Sequence, residues 1–263
     1  MTMNARLVGS GELTLVLAHG YGGSQAAWDA VVPDLSQRHQ LLLFDWSFSG
    51  AIDPPPPFDS SMQYSFESLA GDLIAILDDM NLEGVVFVGH SISGMIGCIA
   101  SIKRPELFTH LVLVAASPMY INTEDYHGGF DLSLVDSFIA AIESDFHGWA
   151  ESFAGAVFAT EHHIPMQKFL ATLKAMNPKA ALALAKTIFY SDQRRLLEHV
   201  EVPSTIIQGV ADMAVPVAVA YYMLGKLKGG AAVHLVEENG HFPHVTSPKK
   251  FVEIINKTLM PNM

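Results

Sequence analysis

The chain has 263 residues, 50% hydrophobic and only 16% charged, with a formal net charge of −12. Such a composition can bury a large core, and it leaves no basic stripe for a phosphate backbone, so neither nucleic acid nor an anionic membrane is an expected partner. Cys98 is the only cysteine, which excludes an internal disulfide and a cysteine-based zinc site.

The start, MTMNARLVGSGELT, passes from polar residues straight into a strand-like segment, without the apolar run of a secretory signal. No stretch reaches the roughly 18–20 apolar residues that span a bilayer, and even LVLVAASPMY breaks at Ser117 and Pro118. An intracellular chain is expected. In order, the short apolar runs LTLVLAHG, QLLLFD, VVFVGH, LVLVAAS, STIIQG and AAVHLVE read as buried parallel strands. Between them, Tyr64 to Met80 and Ser91 to Lys103 carry apolar residues at three- and four-residue spacing, which predicts crossover helices and an α/β fold with a mostly parallel sheet flanked by helices.

After the first strand comes His19-Gly20-Tyr21-Gly22-Gly23, where glycines let backbone approach a ligand. Pro54 to Pro57 cannot be helix interior or central strand and predicts a stiff surface loop. The strand VVFVG then runs into Gly89-His90-Ser91-Ile92-Ser93-Gly94 and an apolar helix, the strand-turn-helix setting that exposes a nucleophilic serine. Ser91 is the predicted nucleophile. The G-x-S-x-G pattern is broken, since Ser93 holds the place of the second glycine, and the alternative role for Ser91 is a helix cap. Cys98, in the helix that follows, is expected to pack as a small core residue.

Strand-helix alternation stops after LVLVAAS. From about Asp131 to Tyr190 four helix-like segments follow, with Pro165 and Pro178 where the third and fourth can start. This predicts an inserted four-helix lid at 119–190 on a core of 1–118 and 191–263. Its aromatic residues Trp149, Phe153, Phe158, Phe169 and Phe189 either join the helices to the sheet or line an apolar chamber.

A serine hydroxyl needs a histidine to take its proton and an acid to orient that histidine. Strand STIIQG ends at Val210-Ala211-Asp212, a carboxylate beyond a strand's carboxyl end, and Asp212 is the predicted acid. Gly240-His241 follows AAVHLVE, and His241 is the predicted base, with His244 the competing candidate among 12 histidines. Oxyanion donors in such a fold are the backbone N–H after the serine and one from an early loop, here Ile92 and Tyr21. The His162–His163 pair lacks metal-ligand spacing, and neither a metal nor another cofactor is expected.

With these residues in place, the chain resembles the plant karrikin and strigolactone receptor subfamily of α/β-hydrolases, and its bacterial stress-signalling relatives, nearly end to end. The strings that carry the likeness are GHSISGMIG, ASIKRPELF, ASPMYIN, DYHGGF and GHFPHVTSP. The resemblance implies a receptor-enzyme that binds a small butenolide (strigolactone- or karrikin-like), attacks it with the serine and hydrolyses it slowly to trigger signalling. Carried over by position, the ligand-binding residues are Tyr21, His90, Tyr120, Trp149, Phe153, Phe169, Phe189, Met213 and Ala214. It further implies residence in cytoplasm and nucleus and, as partners, an F-box protein and a transcriptional repressor, or in the bacterial branch a phosphatase; no feature of the sequence selects between them. The chain departs from the subfamily at Tyr21, where phenylalanine is common, and in FDWSFSGAIDPPPPF, a loop usually richer in glycine. The added Tyr21 hydroxyl wants a hydrogen-bond partner if buried. Two other readings suit the same residues: a general carboxylesterase or lactonase, and a regulatory binding protein that uses the fold as a scaffold without chemistry.

Overall fold

The computed structural model describes residues 3–53, 64–158 and 163–259; the Pro54–Pro57 run and His162 lie outside them. The described residues form one sheet of seven strands, β1 (Arg6–Val8), β2 (Thr14–Ala18), β3 (Gln40–Leu43), β4 (Val85–His90), β5 (Phe108–Val114), β6 (Ser204–Ala211) and β7 (Ala231–Asn239), in the order β1-β3-β2-β4-β5-β6-β7. All neighbours are parallel except β1, which pairs antiparallel with β3 at the edge. The six parallel strands are those the apolar runs predict. β1 is three residues long, too short to show a period.

The strands are apolar on both sides because both faces of the sheet are covered. Leu15 and Leu17 face one core cluster with Trp28, Val88 and Phe251, whereas the alternate residues Val16 and Ala18 face the other with Leu73, Phe87 and Ile96. The helices divide accordingly. On one face lie α2 (Phe66–Asp79), α3 (Ile92–Lys103) and α8 (Val217–Leu224); on the other, α10 (Pro248–Leu259) buries Phe251, Val252, Ile254 and Ile255. The short helices α1 (Val32–Leu35) and α9 (Pro243–Thr246) turn the chain beside them.

Among the described residues, four α-helices lie between β5 and β6: α4 (Leu132–Ser144), α5 (Phe146–Val157), α6 (His163–Ala175) and α7 (Pro178–Phe189). Helix α7 starts on Pro178 with Asn177 as its cap, accepting from the backbone N–H groups of Lys179 and Ala180. Pro165 is the third residue of α6 rather than its first, still within the turn whose N–H groups have no helical acceptor. The chain leaves and re-enters the core at one neck, where Met119 bridges Asp192 and the Gln193 N–H donates to the Pro118 carbonyl at 2.7 Å.

Strand β2 has β3 on one side and β4 on the other, so the direction of winding reverses between β2 and β4 and a crevice opens beyond their carboxyl ends. Close approach of α3 to β4 sets that crevice's geometry. At Gly97 a Cβ would lie 2.4 Å from the Phe87 ring, which is completely buried. Gly97→Ala is therefore expected to lower stability by about 1–3 kcal/mol through overpacking. Gly71→Ala, on the exposed side of α2 with nothing within 4 Å of the new methyl, is expected to raise it by about 0.5–1 kcal/mol. Denaturant melts of both variants check the pair; a Gly97→Ala protein as stable as the parent would contradict the packing argument.

Candidate active site

The turn between β4 and α3 places Ser91 at φ 57°, ψ −123°, a left-handed backbone that an L-residue holds only under strong constraint. The constraint is visible on every side. The Ser91 N–H donates to the Val114 carbonyl at 2.8 Å, a Cβ at Gly89 would stand 2.7 Å from the Ser93 backbone, and one at Gly94 would meet the Ala116 methyl at 2.4 Å. The glycine needed for close packing thus stands at 94. Ser93 fits because its hydroxyl has work of its own: it donates to the His19 carbonyl at 2.6 Å and accepts from the Trp46 indole N–H at 3.0 Å. That indole also reaches the His19 carbonyl.

The His19–Gly23 loop is thereby fastened to the start of α3. His19 is completely buried, its Nδ1 is 2.9 Å from the Gly20 carbonyl, and its Nε2 accepts the Trp46 backbone N–H, which fixes a neutral ring protonated on Nδ1. A Cβ at Gly20 would stand 2.8 Å from His90 Nδ1 and 3.0 Å from Ser91 Cβ, so the loop backbone lies directly against the serine. The backbone N–H groups of Tyr21 and Ile92 make no hydrogen bond among the described residues.

Asp212 follows the end of β6, where the β6–β7 register shifts between Gly209 and Ala211. Its carboxylate is buried and has four donors: the N–H groups of Ala214 (2.8 Å) and Val215 (3.2 Å) on Oδ1, the Gln208 amide (3.0 Å) and His241 Nδ1 (2.8 Å) on Oδ2. A carboxylate held by these donors is fixed in orientation and can accept a ring N–H. His241 accordingly carries its proton on Nδ1 and its lone pair on Nε2. Its own N–H donates to the Val157 carbonyl at the end of α5 at 3.0 Å. Gln208, which no motif marks, could have been found only as a polar residue following Ile206 and Ile207 within a buried strand.

Ser91 and His241 both open onto one chamber of about 600 Å³ between the sheet and helices α4, α5 and α7. Tyr21, Tyr120, Trp149, Phe153, Phe189, Met213 and Ala214 line it as well, and the Tyr120 hydroxyl lies 3.5 Å from Ser91 Oγ. Burial pushes the Tyr120 phenol up to about 12, so it stays protonated. Met213 is 70% exposed, at the chamber's rim. Two of the expected pocket residues stand elsewhere. His90 lies beneath the chamber, because the residue before the serine points to the opposite side of the turn; its Nε2 is 2.8 Å from the His241 carbonyl. Phe169 faces a separate cavity of about 280 Å³ beside Phe158 and Phe242. Among the lining residues that sequence reasoning missed are Leu134, Phe138 and Ala141 of α4, whose spacing already describes one helix face. Among the described residues no three His, Cys, Asp or Glu side chains gather as a metal ion would need.

His244, the competing base, does not reach the chamber. It is completely buried, stacked on Trp28 at 4.2 Å, and burial followed by the nearby His241 lowers its pKa to about 3. Burial lowers His19 to about 4, and burial with the neighbouring His244 and His241 holds His90 well below 6.5. In the unfolded chain these rings titrate near 6.5, so below that pH the unfolded state binds more protons and folding stability falls. Each ring adds to that loss as the pH falls further below its unfolded value. The melting temperature is expected to be level above pH 7 and to drop between pH 6.5 and 4. His244→Phe, which keeps the stack without a basic nitrogen, should drop less steeply; an equal slope would refute the assignment.

The chain matches the model of the alpha/beta hydrolase fold family over residues 14–248. It is 42% identical over 253 residues to the karrikin insensitive 2 receptor CA of Petunia hybrida, covering 96% of this chain and 93% of that one. It is 35% identical to the strigolactone esterase D14 of Arabidopsis thaliana, covering 98% and 96%. Among solved structures, a hydrolase from Oleispira antarctica superposes with a TM-score of 0.92 at 29% identity, covering 99% of this chain and 95% of that one. No helix among the described residues is long and apolar enough to cross a membrane. With its seven-stranded sheet, the turn at Ser91 and these relatives, the chain belongs to the α/β-hydrolase family, in the subfamily of the karrikin insensitive 2 receptors and strigolactone esterases.

Proposed function

We propose that the protein is a receptor-type serine hydrolase that binds a small butenolide ligand, strigolactone- or karrikin-like, and hydrolyses it slowly to trigger signalling. The observation that carries this reading is the buried Asp212–His241 hydrogen bond of 2.8 Å, with His241 and the strained Ser91 opening onto the same largely apolar chamber. The names of the relatives, a receptor and an esterase, support the two halves of the reading.

In this reading Ser91 Oγ attacks the ester or lactone carbonyl carbon while its proton passes to His241 Nε2, and Asp212 stabilises the imidazolium without taking a proton itself. The N–H groups of Tyr21 and Ile92 hold the oxyanion. His241 then protonates the leaving oxygen, and a water molecule, deprotonated by the same ring, releases the acyl group from Ser91. Gln208 and the N–H groups of Ala214 and Val215 keep Asp212 in place through these steps. A chamber of about 600 Å³ walled by Trp149, Phe153 and Phe189 suits a compact, uncharged ligand.

The receptor half carries a partner expectation, an F-box protein with a transcriptional repressor in cytoplasm and nucleus, which ligand-dependent co-precipitation from a receptor-bearing cell extract tests. For the chemistry, Ser91→Ala, His241→Ala and Asp212→Asn should each lower hydrolysis of a synthetic butenolide ester at least about a thousandfold, since the three act as a unit. Wild-type rates in any of them would sink the assignment. Intact-protein mass spectrometry on the same reactions separates the two enzymatic readings. A Ser91-dependent adduct that persists with slow turnover supports the receptor-enzyme; rapid turnover with no retained adduct favours a plain carboxylesterase or lactonase.

A further inference from the structure

Tyr21 touches two parts of the molecule that must cooperate. Its backbone N–H belongs to the loop pressed against Ser91, and its side chain crosses to the helical layer above. The hydroxyl donates to the Ala181 carbonyl of α7 at 3.1 Å, a contact between residues 160 positions apart in the chain. The ring sits edge-on to Trp149 and Phe153 of α5, with centroids 6.1 and 6.3 Å away. The next residue, Gly22, holds φ +73°, and a Cβ there would stand 2.8 Å from Leu173 and 3.1 Å from Phe169, both on α6. Three of the four helices therefore grip two consecutive residues of the loop that presents the Tyr21 N–H.

Of these contacts the hydroxyl bond is the directional one. Aromatic edges and methyl groups slide by a few tenths of an ångström at little cost, whereas a hydrogen bond weakens steeply off its axis. The hydroxyl is buried and burial raises its pKa, so it remains a donor throughout the working pH range. Phenylalanine at this position would keep every packing contact and lose only this bond.

We propose that the Tyr21 hydroxyl is a positioning group, tying the loop that carries the oxyanion donor to helix α7 so that the donor is in register with Ser91 only while α7 is seated over the chamber. The inference rests on the acyl-transfer reading above, with Tyr21 N–H as one of the oxyanion donors. Its consequence is a link between the state of the helical layer and the chemical step: displacement of α7, by ligand or by partner, draws the donor away from the developing oxyanion.

The test is Tyr21→Phe against wild type and Ser91→Ala, with three readouts on the full chain. Turnover of a butenolide ester should fall about threefold to tenfold in kcat, the range that one neutral hydrogen bond commands, with KM within about twofold. Affinity for a trifluoromethyl ketone, whose serine hemiketal bears an oxyanion, should fall by the same factor, while that for a non-hydrolysable ether of the same shape stays constant. Amide hydrogen exchange should quicken in α7 and not in α10. Unchanged kcat and ketone affinity in Tyr21→Phe, with Ser91→Ala inactive, would overturn the tether and leave the hydrolase reading standing. So would a kcat loss with α7 exchange unmoved, since the coupling to the helix would then be missing. Wild-type turnover by Ser91→Ala would overturn both.

Discussion

The conformation of one residue, Ser91, sets the terms for its surroundings. A serine held at φ 57° costs on the order of 1–3 kcal/mol, and it persists only where neighbouring backbone leaves no other path. Here β4 and α3 are brought so close that Gly89 and Gly97 exclude even a methyl group, as Gly94 does against Ala116 beyond β5. The near-complete burial of α3 from Ile92 to Ser101 follows from this closeness, as does its run of small residues. The helix is shaped less to cover the sheet than to hold the turn at its own start.

Electrostatics complete what the backbone begins. The site buries a carboxylate, which is tolerable only because four donors converge on it. It also buries three other imidazoles near the serine, and the dry surroundings keep His19, His90 and His244 neutral. Of the four rings, His241 is the one with a carboxylate hydrogen-bond partner, Asp212, at 2.8 Å. Of its neighbours, His19 and His90 make ring hydrogen bonds, whereas His244 contributes shape alone, stacked on Trp28.

Much of this was legible in the sequence because it is written in local patterns. Apolar runs of four to eight residues mark strands covered on both faces, and the G-H-S turn, the aspartate past STIIQG and the glycine before His241 each mark the carboxyl end of a strand. What was not legible depends on long-range register. Nothing local says that Gln208 reaches Asp212, that Ser93 and Trp46 lock the His19 loop, or that Phe169 belongs to a second cavity. Pocket residues transferred by position failed where a residue's neighbours in the chain differ in direction from its neighbours in space: His90 sits one residue from the serine and on the other side of the turn. The α4 wall went unread because Leu134, Phe138 and Ala141 look, in one dimension, like any amphipathic stripe.

The neck at Pro118–Met119 and Asp192–Gln193 gives the helical layer an independence of its own. An excursion whose two ends are clasped together hands back to the sheet the same starting point for β6 whatever lies between, and the entropy of closing it grows only by about 0.6 kcal/mol for each doubling of its length. Helices can be lengthened, recomposed or exchanged there without disturbing strand register. The molecule therefore separates inheritance from invention: the sheet keeps its strand order whatever the cassette becomes, while any new helix there must still meet the loop contacts at Tyr21, Gly22 and His241.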